Sequence, residues 1–534
     1  MNKQYFEFNG ISGGNFGIKF IILGILLVSM FSCKNLESKI ITDEADRPNI
    51  IYILADDLGY AEIGAYGQEK IETPNIDALA SSGMLFTQHY TGTPVCAPAR
   101  FNFLAGKHSG NSYIRGNDEW AERGKVWDYK AAVLDSTLEG QAPIPLNTIT
   151  VANKLKDNGY ATAMIGKWGL GAPHTASLPT NFGFDYFFGF NCQRQAHTYY
   201  PVFLYENTQR YHLGNDTIAP GTKLAKDANP YEEKSYAAYT QNKYAPEVMF
   251  EKLTNFVDEN KNKPFFLYWA DPIPHAALQA PKRWVDYYVE KFGDEEPYLG
   301  DKGYFPTRYP RATYAAMVSY LDENVGKLVA QLKREGIYDN TIIMFTSDNG
   351  PTFNGGSDSP WFDSAKPFKS EYGFGKGFLN EGGIRTPMIA SWPDKIEAGS
   401  KTNLISAHFD VMATVCDIIS EDIPADTDGI SFLPTLLGSD EQEAREYLYW
   451  EYPEYNGQVA VRMGKWKILW KNIKKGNKDI ELYDLDIDIE ESKNLATEYP
   501  EIVNKLYDII KKEHTTPESE RFRMDALEAI YNSK

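Results

Sequence analysis

The chain predicts an α/β fold, a large domain built on a central, mostly parallel sheet flanked by helices, followed by a small C-terminal α+β domain with a short antiparallel sheet. Three observations carry this. Four apolar runs, widely separated in the chain, each lead into polar residues at their carboxyl end. Helix-patterned stretches with start and stop signals lie between them. After about residue 438 the texture changes to short strand-like runs.

Taken in order, the first segment is a leader. Lys3 and Lys19 precede an apolar run from Phe20 to Phe31 that ends in Ser32 and Cys33, which reads as a signal peptide over 1–32. The run falls short of the roughly 20 apolar residues that a membrane span requires. A small residue before a cysteine predicts the lipoprotein type, with Cys33 lipidated as the first mature residue. Met30 stands where such signals usually carry Leu, and ordinary cleavage is the alternative. The expectation is an exported protein, in the periplasm or anchored at the outer membrane or cell surface of a Gram-negative bacterium. Its contact with membrane would run only through that lipid.

The large domain is expected over 46–438. Its first strand is NIIYILADD, Asn49 to Asp57, a continuous apolar run closed by Asp56 and Asp57, as a strand buried on both faces demands. In TPNIDALASSG, Thr73 is placed to cap a helix, Pro74 suits its first turn, Ile76, Leu79 and Ala80 share a face, and Gly83 ends it. Tyr160 to Ile165 is a second strand leading into Gly166, Lys167 and Trp168. The run from Pro264 leads to His275, and TIIMFTSDNG from Thr341 ends in Asp348 and Asn349. Ligands of α/β sheets gather at the carboxyl ends of the strands. That rule brings Asp56, Asp57, Lys167, His275, Asp348 and Asn349 to one edge. Residues 191–311, rich in Tyr and Pro, predict long loops near that edge. Over 439–534, Val459 to Trp470 and Ile480 to Leu485 read as antiparallel strands, and Glu501 to Lys512 as a helix.

With 73 acidic against 54 basic residues, the formal charge of -19 excludes nucleic acid as a partner. An anionic substrate then requires the cations to be gathered at one place, and Arg100, Lys107, Arg115, Lys167, Arg194 and Lys376 are the candidates. Beyond Cys33, the cysteines Cys96, Cys192 and Cys416 are too few and too odd in number for a disulfide framework. Pro98 fits the first turn of a helix that Gly106 terminates, which puts Cys96 at the helix N-terminus with Arg100 four residues on. The position suits an activated nucleophile or a residue facing an anion; a buried structural cysteine is the alternative.

Cys96, Pro98 and Arg100, in the order C-x-P-x-R, resemble the maturation signature of the formylglycine sulfatases. ADD at Ala55 to Asp57, TPNIDALA from Thr73, GKWGLG from Gly166, SDNG from Ser347, GKGFLNEGGIRTP from Gly375, DGISFLPTLLG from Asp428 and ELYDL from Glu481 resemble that family in its usual order, over nearly the whole chain after the leader. The resemblance implies an alkaline-phosphatase-like fold and one Ca2+ ion, taken in preference to Mg2+. Asp56, Asp57, Asp348 and Asn349 would hold the ion with residue 96. Their oxygen ligands suit a hard cation better than zinc. It implies that Cys96 is oxidised to formylglycine (3-oxoalanine) by a maturation enzyme, and that the protein hydrolyses sulfuric esters through a covalent sulfate-enzyme intermediate. Arg100 matches the arginine holding the formylglycine, Lys167 and Lys376 the lysines facing sulfate, and His275 the histidine near the leaving oxygen. Many members carry histidine where this chain has Gly169. His197 is the preferred substitute, ahead of His174 and His108. Ala99 and Ala105 also replace a more usual Ser and Thr. The substrate implied is a sulfated carbohydrate, with Gly110 to Asn117 and Asn191 to Pro201 as candidate pocket segments. The alternatives are a phosphonate or phosphodiester hydrolase of the same fold, or a sulfated-glycan-binding protein with impaired catalysis.

Overall fold

A computed structural model describes residues 47–117 and 119–532. The expected signal peptide and Cys33 lie outside the described residues.

The strands of the main sheet are β1 (Asn49–Ala55), β2 (Met84–Phe86), β3 (Ala161–Lys167), β4 (Tyr186–Phe190), β5 (Phe203–Glu206), β6 (Gln209–His212), β7 (Phe265–Ala270), β8 (Thr341–Ser347), β9 (Met388–Ser391) and β10 (Ser400–Thr402). They form one ten-stranded sheet in the order β10-β2-β9-β8-β1-β7-β3-β4-β5-β6. The five central strands, β8 to β4 in that order, run parallel, while β9 and β5 join antiparallel. All four apolar runs read as strands from the sequence are in this parallel core. The hairpin of β5 and β6 was not foreseen, because its alternation is buried in a segment whose Tyr and Pro content reads as loop.

β1 shows why the core strands are continuously apolar. Ile51, Ile53 and Ala55 enter one apolar layer, and Ile50, Tyr52 and Leu54 the other, with all six fully buried. The first layer is closed by helices α1 (Pro74–Ser81), α4 (Ala245–Asn260) and α5 (Pro310–Arg334). The second is closed by α2 (Cys96–Ala105), α3 (Val151–Asp157) and α6 (Asp410–Ile418). Tyr52 and Phe103 of α2 stack with centroids 4.1 Å apart. Among the described residues no helix is long and apolar enough to cross a membrane.

α1 begins at Pro74 as expected, but the Thr73 side chain does not cap it. The Asp322 carboxylate of α5 accepts from the Asn75 and Ile76 amides at 2.9 and 2.7 Å. Thr73 accepts from the Gly64 amide and donates to Asp77. A carboxylate from a distant helix outcompetes the local hydroxyl because it takes both free amides at once.

The C-terminal part is a separate four-stranded antiparallel sheet, β11 (Leu448–Tyr452), β12 (Gln458–Met463), β13 (Trp466–Lys471) and β14 (Ile480–Asp484), with helix α7 (Pro500–Glu513). Trp450, Ala460 and Leu469 share an apolar cluster with Tyr90, Val95, Leu379 and Ile384, so the small sheet packs on the segments that lead to Cys96 and follow Lys376.

His89 and His408 are fully buried with ring centroids 5.2 Å apart. Burial, and for His89 the neighbouring imidazole, holds both below the usual histidine range, His408 down to about 3. Below about pH 6.5 the unfolded chain therefore binds protons that the folded chain refuses, and stability falls as pH drops toward the folded value. Each histidine contributes about tenfold in the folding equilibrium per pH unit. Urea unfolding of His408→Gln is expected to show a pH dependence between 6 and 5 shallower by about that factor; an unchanged slope would mean His408 is not one of the groups responsible.

Candidate active site

Successive residues of a strand point to opposite faces, so Asp56 and Asp57 cannot converge while both keep strand geometry. Asp57 leaves it, with φ 68, a left-handed conformation that aspartate tolerates better than most residues. Both carboxylates then reach one buried cluster at the end of β1. Asn349 donates to Asp57 Oδ1 at 2.8 Å, and the Asp57 amide donates to Asp348 Oδ1 at 3.1 Å. Lys167, the last residue of β3, pairs with Asp56 at 2.6 Å, and Lys376 with Asp57 at 2.7 Å. Arg100 reaches Asp348 at 2.8 Å and Asp56 at 3.3 Å, and donates to the Lys167 carbonyl at 2.9 Å.

Three carboxylates thus share one dry volume with three cations. Burial would raise Asp56, but Lys167, His275 and Arg100 outweigh it and hold that carboxyl well below the usual range. Burial pushes Asp57 up against the pull of Lys376, with Asp56 adding repulsion; burial and Asp56 push Asp348 up to about 7 against Arg100. Crowded carboxylates of this kind are relieved by a cation. Ligand atoms of Asp56, Asp57, Cys96 and His275 lie within 4.8 Å of one another. Asn349 Oδ1 is buried with no hydrogen-bond partner, an acceptor left open in the same place. The donor set, mostly carboxylate and amide oxygen, fits a hard divalent cation. His275 joins the expected residues, and Asp348 stands beside them with one oxygen on Arg100 and the other on the Asp57 amide.

Cys96 opens α2, and Gly106 ends it with φ 67. The Cys96 thiol donates to Asp56 Oδ1 at 3.4 Å, and Lys376 Nζ lies 3.3 Å from Sγ. Burial and the Asp56 carboxylate push the thiol up to about 12 against Lys167 and Lys376. The helix N-terminus and the nearby cations thus do not overcome burial beside a carboxylate for the thiol as encoded. Arg100, four residues on, is taken up by the carboxylates. Cys192 and Cys416 are buried free thiols.

Only half of the predicted cations reach this cluster. Lys107 pairs with Asp426 at 2.6 Å, and Arg115 binds Glu451 and the Thr515 carbonyl, tying the large domain to C-terminal segments. Arg194 stacks 4.3 Å over Trp127 and donates to its carbonyl. Nearness in sequence to a motif does not decide which way a side chain leaves its element. The loop carrying Lys376 is clamped from both sides, the Gly377 amide donating to Pro94 at 2.9 Å and Gln458 of β12 bonding Gly377 and Leu379 at 2.8 and 3.1 Å.

His275 Nε2 lies 3.8 Å from Asp57 Oδ2, and its Nδ1 faces the Ala276 carbonyl. A carbonyl only accepts, so Nδ1 carries the proton and Nε2 is the open acceptor. His197 stacks on His275 with centroids 5.4 Å apart at 18°. Burial first, then Lys376 for His275 and the neighbouring His275 imidazole for His197, holds both below the usual histidine range. His174 is exposed and bonds Ser136, and His108 bonds Glu513, so neither is brought to the cluster. At Gly169, φ 72, an added Cβ would lie 2.7 Å from Gln193 Cγ. Gln193 fills that space, donating to Asn117 Oδ1 at 3.2 Å, which also accepts the Ala97 amide at 3.1 Å, while its own Oε1 is buried without a partner. Tyr304, whose ring meets both imidazoles, is a neighbour the sequence reading missed. Gln193 falls within the Asn191 to Pro201 segment named as a candidate pocket, without having been singled out there.

The Sulfatase family model matches residues 48–420, a stretch that holds every member of this cluster, and the chain belongs to that family of hydrolases. A second model, N-sulphoglucosamine sulphohydrolase, C-terminal, matches residues 370–516. The chain is 27% identical to the N-acetylgalactosamine-6-O-sulfatase of Bacteroides thetaiotaomicron, over 93% of this chain and 98% of that one. It is 28% identical to the human N-acetylgalactosamine-6-sulfatase over 80% of this chain and 74% of the relative. The solved structure of Ps i-CgsB in complex with k-i-k-neocarrahexaose matches with a TM-score of 0.70 at 25% identity, covering 91% of this chain and 98% of that one.

Proposed function

We propose that this sulfatase is an exported enzyme that removes sulfate from a sulfated carbohydrate, using a formylglycine made from Cys96 and one Ca2+ ion. The observation that carries the reading is the convergence of Asp56, Asp57 and His275 on Cys96, with the open Asn349 Oδ1, Lys167 and Lys376 alongside.

Asp56, Asp57, Asp348 and Asn349, with residue 96, would hold the ion, which when bound offsets the carboxylates and favours an ionised oxygen nucleophile at neutral pH. Formylglycine in its hydrated form supplies two hydroxyls on one carbon, one to attack sulfur and one to expel sulfate. Arg100 fixes Asp348, Asp56 and the Lys167 carbonyl, and so the relation of β1, β3 and β8 at the cluster. Once the ion offsets the carboxylates, Lys167 and Lys376 supply positive charge for the sulfate oxygens. His275 Nε2, an open acceptor, takes up the proton given up by the attacking hydroxyl and passes it to the leaving oxygen, and His197 takes the proton-accepting role in sulfate release that Gly169 leaves open.

The relatives' names direct the first substrates. Protein made in a host that matures the cysteine is given N-acetylgalactosamine 6-sulfate, neocarrahexaose and 4-nitrophenyl sulfate, and sulfate release is followed, with 4-nitrophenyl phosphate as control. Faster turnover of a sulfated saccharide than of the phosphate, lost on chelation and restored by Ca2+, is expected. Preference for the phosphate ester, or activity indifferent to chelation, would refute the reading.

A further inference from the structure

Tyr304 sits in a left-handed conformation, φ 60, that a bulky residue rarely adopts and that persists only where its surroundings impose it. The loop around it does so. Tyr298 and Thr307 exchange both backbone hydrogen bonds across its neck, each at 2.9 Å. The Tyr298 hydroxyl then accepts from the Lys302 amide at 2.9 Å and donates to the Gly303 carbonyl at 2.5 Å, so the tip is tied to its own neck. Gly300 and Gly303, both at φ 82, make the turns this requires.

The strain delivers one side chain to one place. The Tyr304 ring meets His197 edge-on at 5.1 Å and 62°, and His275 at 5.7 Å and 80°. Apart from burial, the groups that act on its phenol are Lys376, Asp57, Cys96 and Asp56, the members of the charged cluster, and together these keep it protonated at neutral pH. Among the described residues its hydroxyl has no hydrogen-bond partner.

We infer that Tyr304 is a specificity-determining residue that receives the alcohol half of the ester, its ring lining the sugar and its hydroxyl hydrogen-bonding a sugar hydroxyl or amide. The inference rests on the sulfatase reading and deepens it. The sulfate half belongs with Lys167 and Lys376 beside Cys96, whereas the flank made by His197, His275 and Tyr304 is aromatic. Such a flank suits the C–H face of a neutral sugar, and an unpaired phenol is an open site for a polar group of the sugar. A site with a polar group to satisfy rejects substrates that leave it unpaired.

Tyr304→Phe and Tyr298→Phe test this, each compared with wild type on 4-nitrophenyl sulfate and on whichever of N-acetylgalactosamine 6-sulfate and neocarrahexaose the wild type cleaves faster. For Tyr304→Phe the ratio of saccharide kcat/KM to aryl kcat/KM is expected to fall about tenfold. Tyr298→Phe, which loosens the loop and leaves the phenol in place, should shift the ratio in the same direction by less. Equal losses on both substrates would assign Tyr304 to the sulfate half, and no loss on either would remove it from recognition; either overturns the inference while leaving the sulfatase reading intact. A wild type that cleaves only 4-nitrophenyl sulfate, or none of the three, fails the carbohydrate reading itself, and the Tyr304 assignment with it.

Discussion

Cys96→Ala is expected to abolish sulfate release, a loss of at least about 10^4-fold in kcat, while the fold is retained. The side chain is small and already buried, so its removal leaves the carboxylates, lysines and helix α2 in place. What is lost is the position next to both Asp56 and Lys376 at which the proposed nucleophile forms. The thiol as encoded cannot supply it, since burial and Asp56 hold it protonated at any pH the enzyme would meet. Cys96→Ser separates an oxygen nucleophile from the chemistry of an aldehyde. A serine hydroxyl can attack sulfur once but has no second hydroxyl with which to expel sulfate, so at most a single stoichiometric event per chain is expected, without turnover. Steady turnover by the serine variant would contradict the proposed route.

Arg100→Ala is expected to cost about 3–5 kcal/mol in stability and at least about 100-fold in activity. The guanidinium is fully buried, and among the described residues it is the ion-pair partner of Asp348 while also reaching Asp56 and the Lys167 carbonyl. Alanine would leave a carboxylate buried and uncompensated, which is far more costly than losing a surface pair. Arg100→Lys should recover only part of both losses, because a single ammonium cannot span three acceptors on three strand ends. Urea unfolding and sulfate release, measured on the same preparations with and without Ca2+, separate the two effects. A variant as stable as wild type would mean that water enters the cluster and screens it.

The parts of the site that were legible in the sequence are those whose position follows from the strand they end. Asp56, Asp57, Lys167, His275, Asp348 and Asn349 stand just beyond apolar runs, and a parallel sheet brings such ends together whatever lies between. Cys96 and its helix were equally legible, because Pro98 and Gly106 are local signals. What could not be read depends on partners far away in the chain. Asp322 caps a helix nearly 250 positions earlier, and Arg115 turns to Glu451 and not to the site. The clamp of Gln458 on the Lys376 loop joins two sequence motifs that carry no mark of each other. Tyr304 was invisible for another reason: its placement is the product of a loop closing on itself through Tyr298, and one tyrosine among 35 announces nothing.

The identity of residue 96 in the working enzyme can be read directly from the mass of the tryptic peptide Ile71–Arg100, isolated from a preparation whose sulfate release has been measured. In active protein the peptide is expected at the mass of the aldehyde that replaces the cysteine CH2–SH group, with activity proportional to the converted fraction. Full sulfate release from a preparation in which that peptide carries only an intact thiol would contradict it.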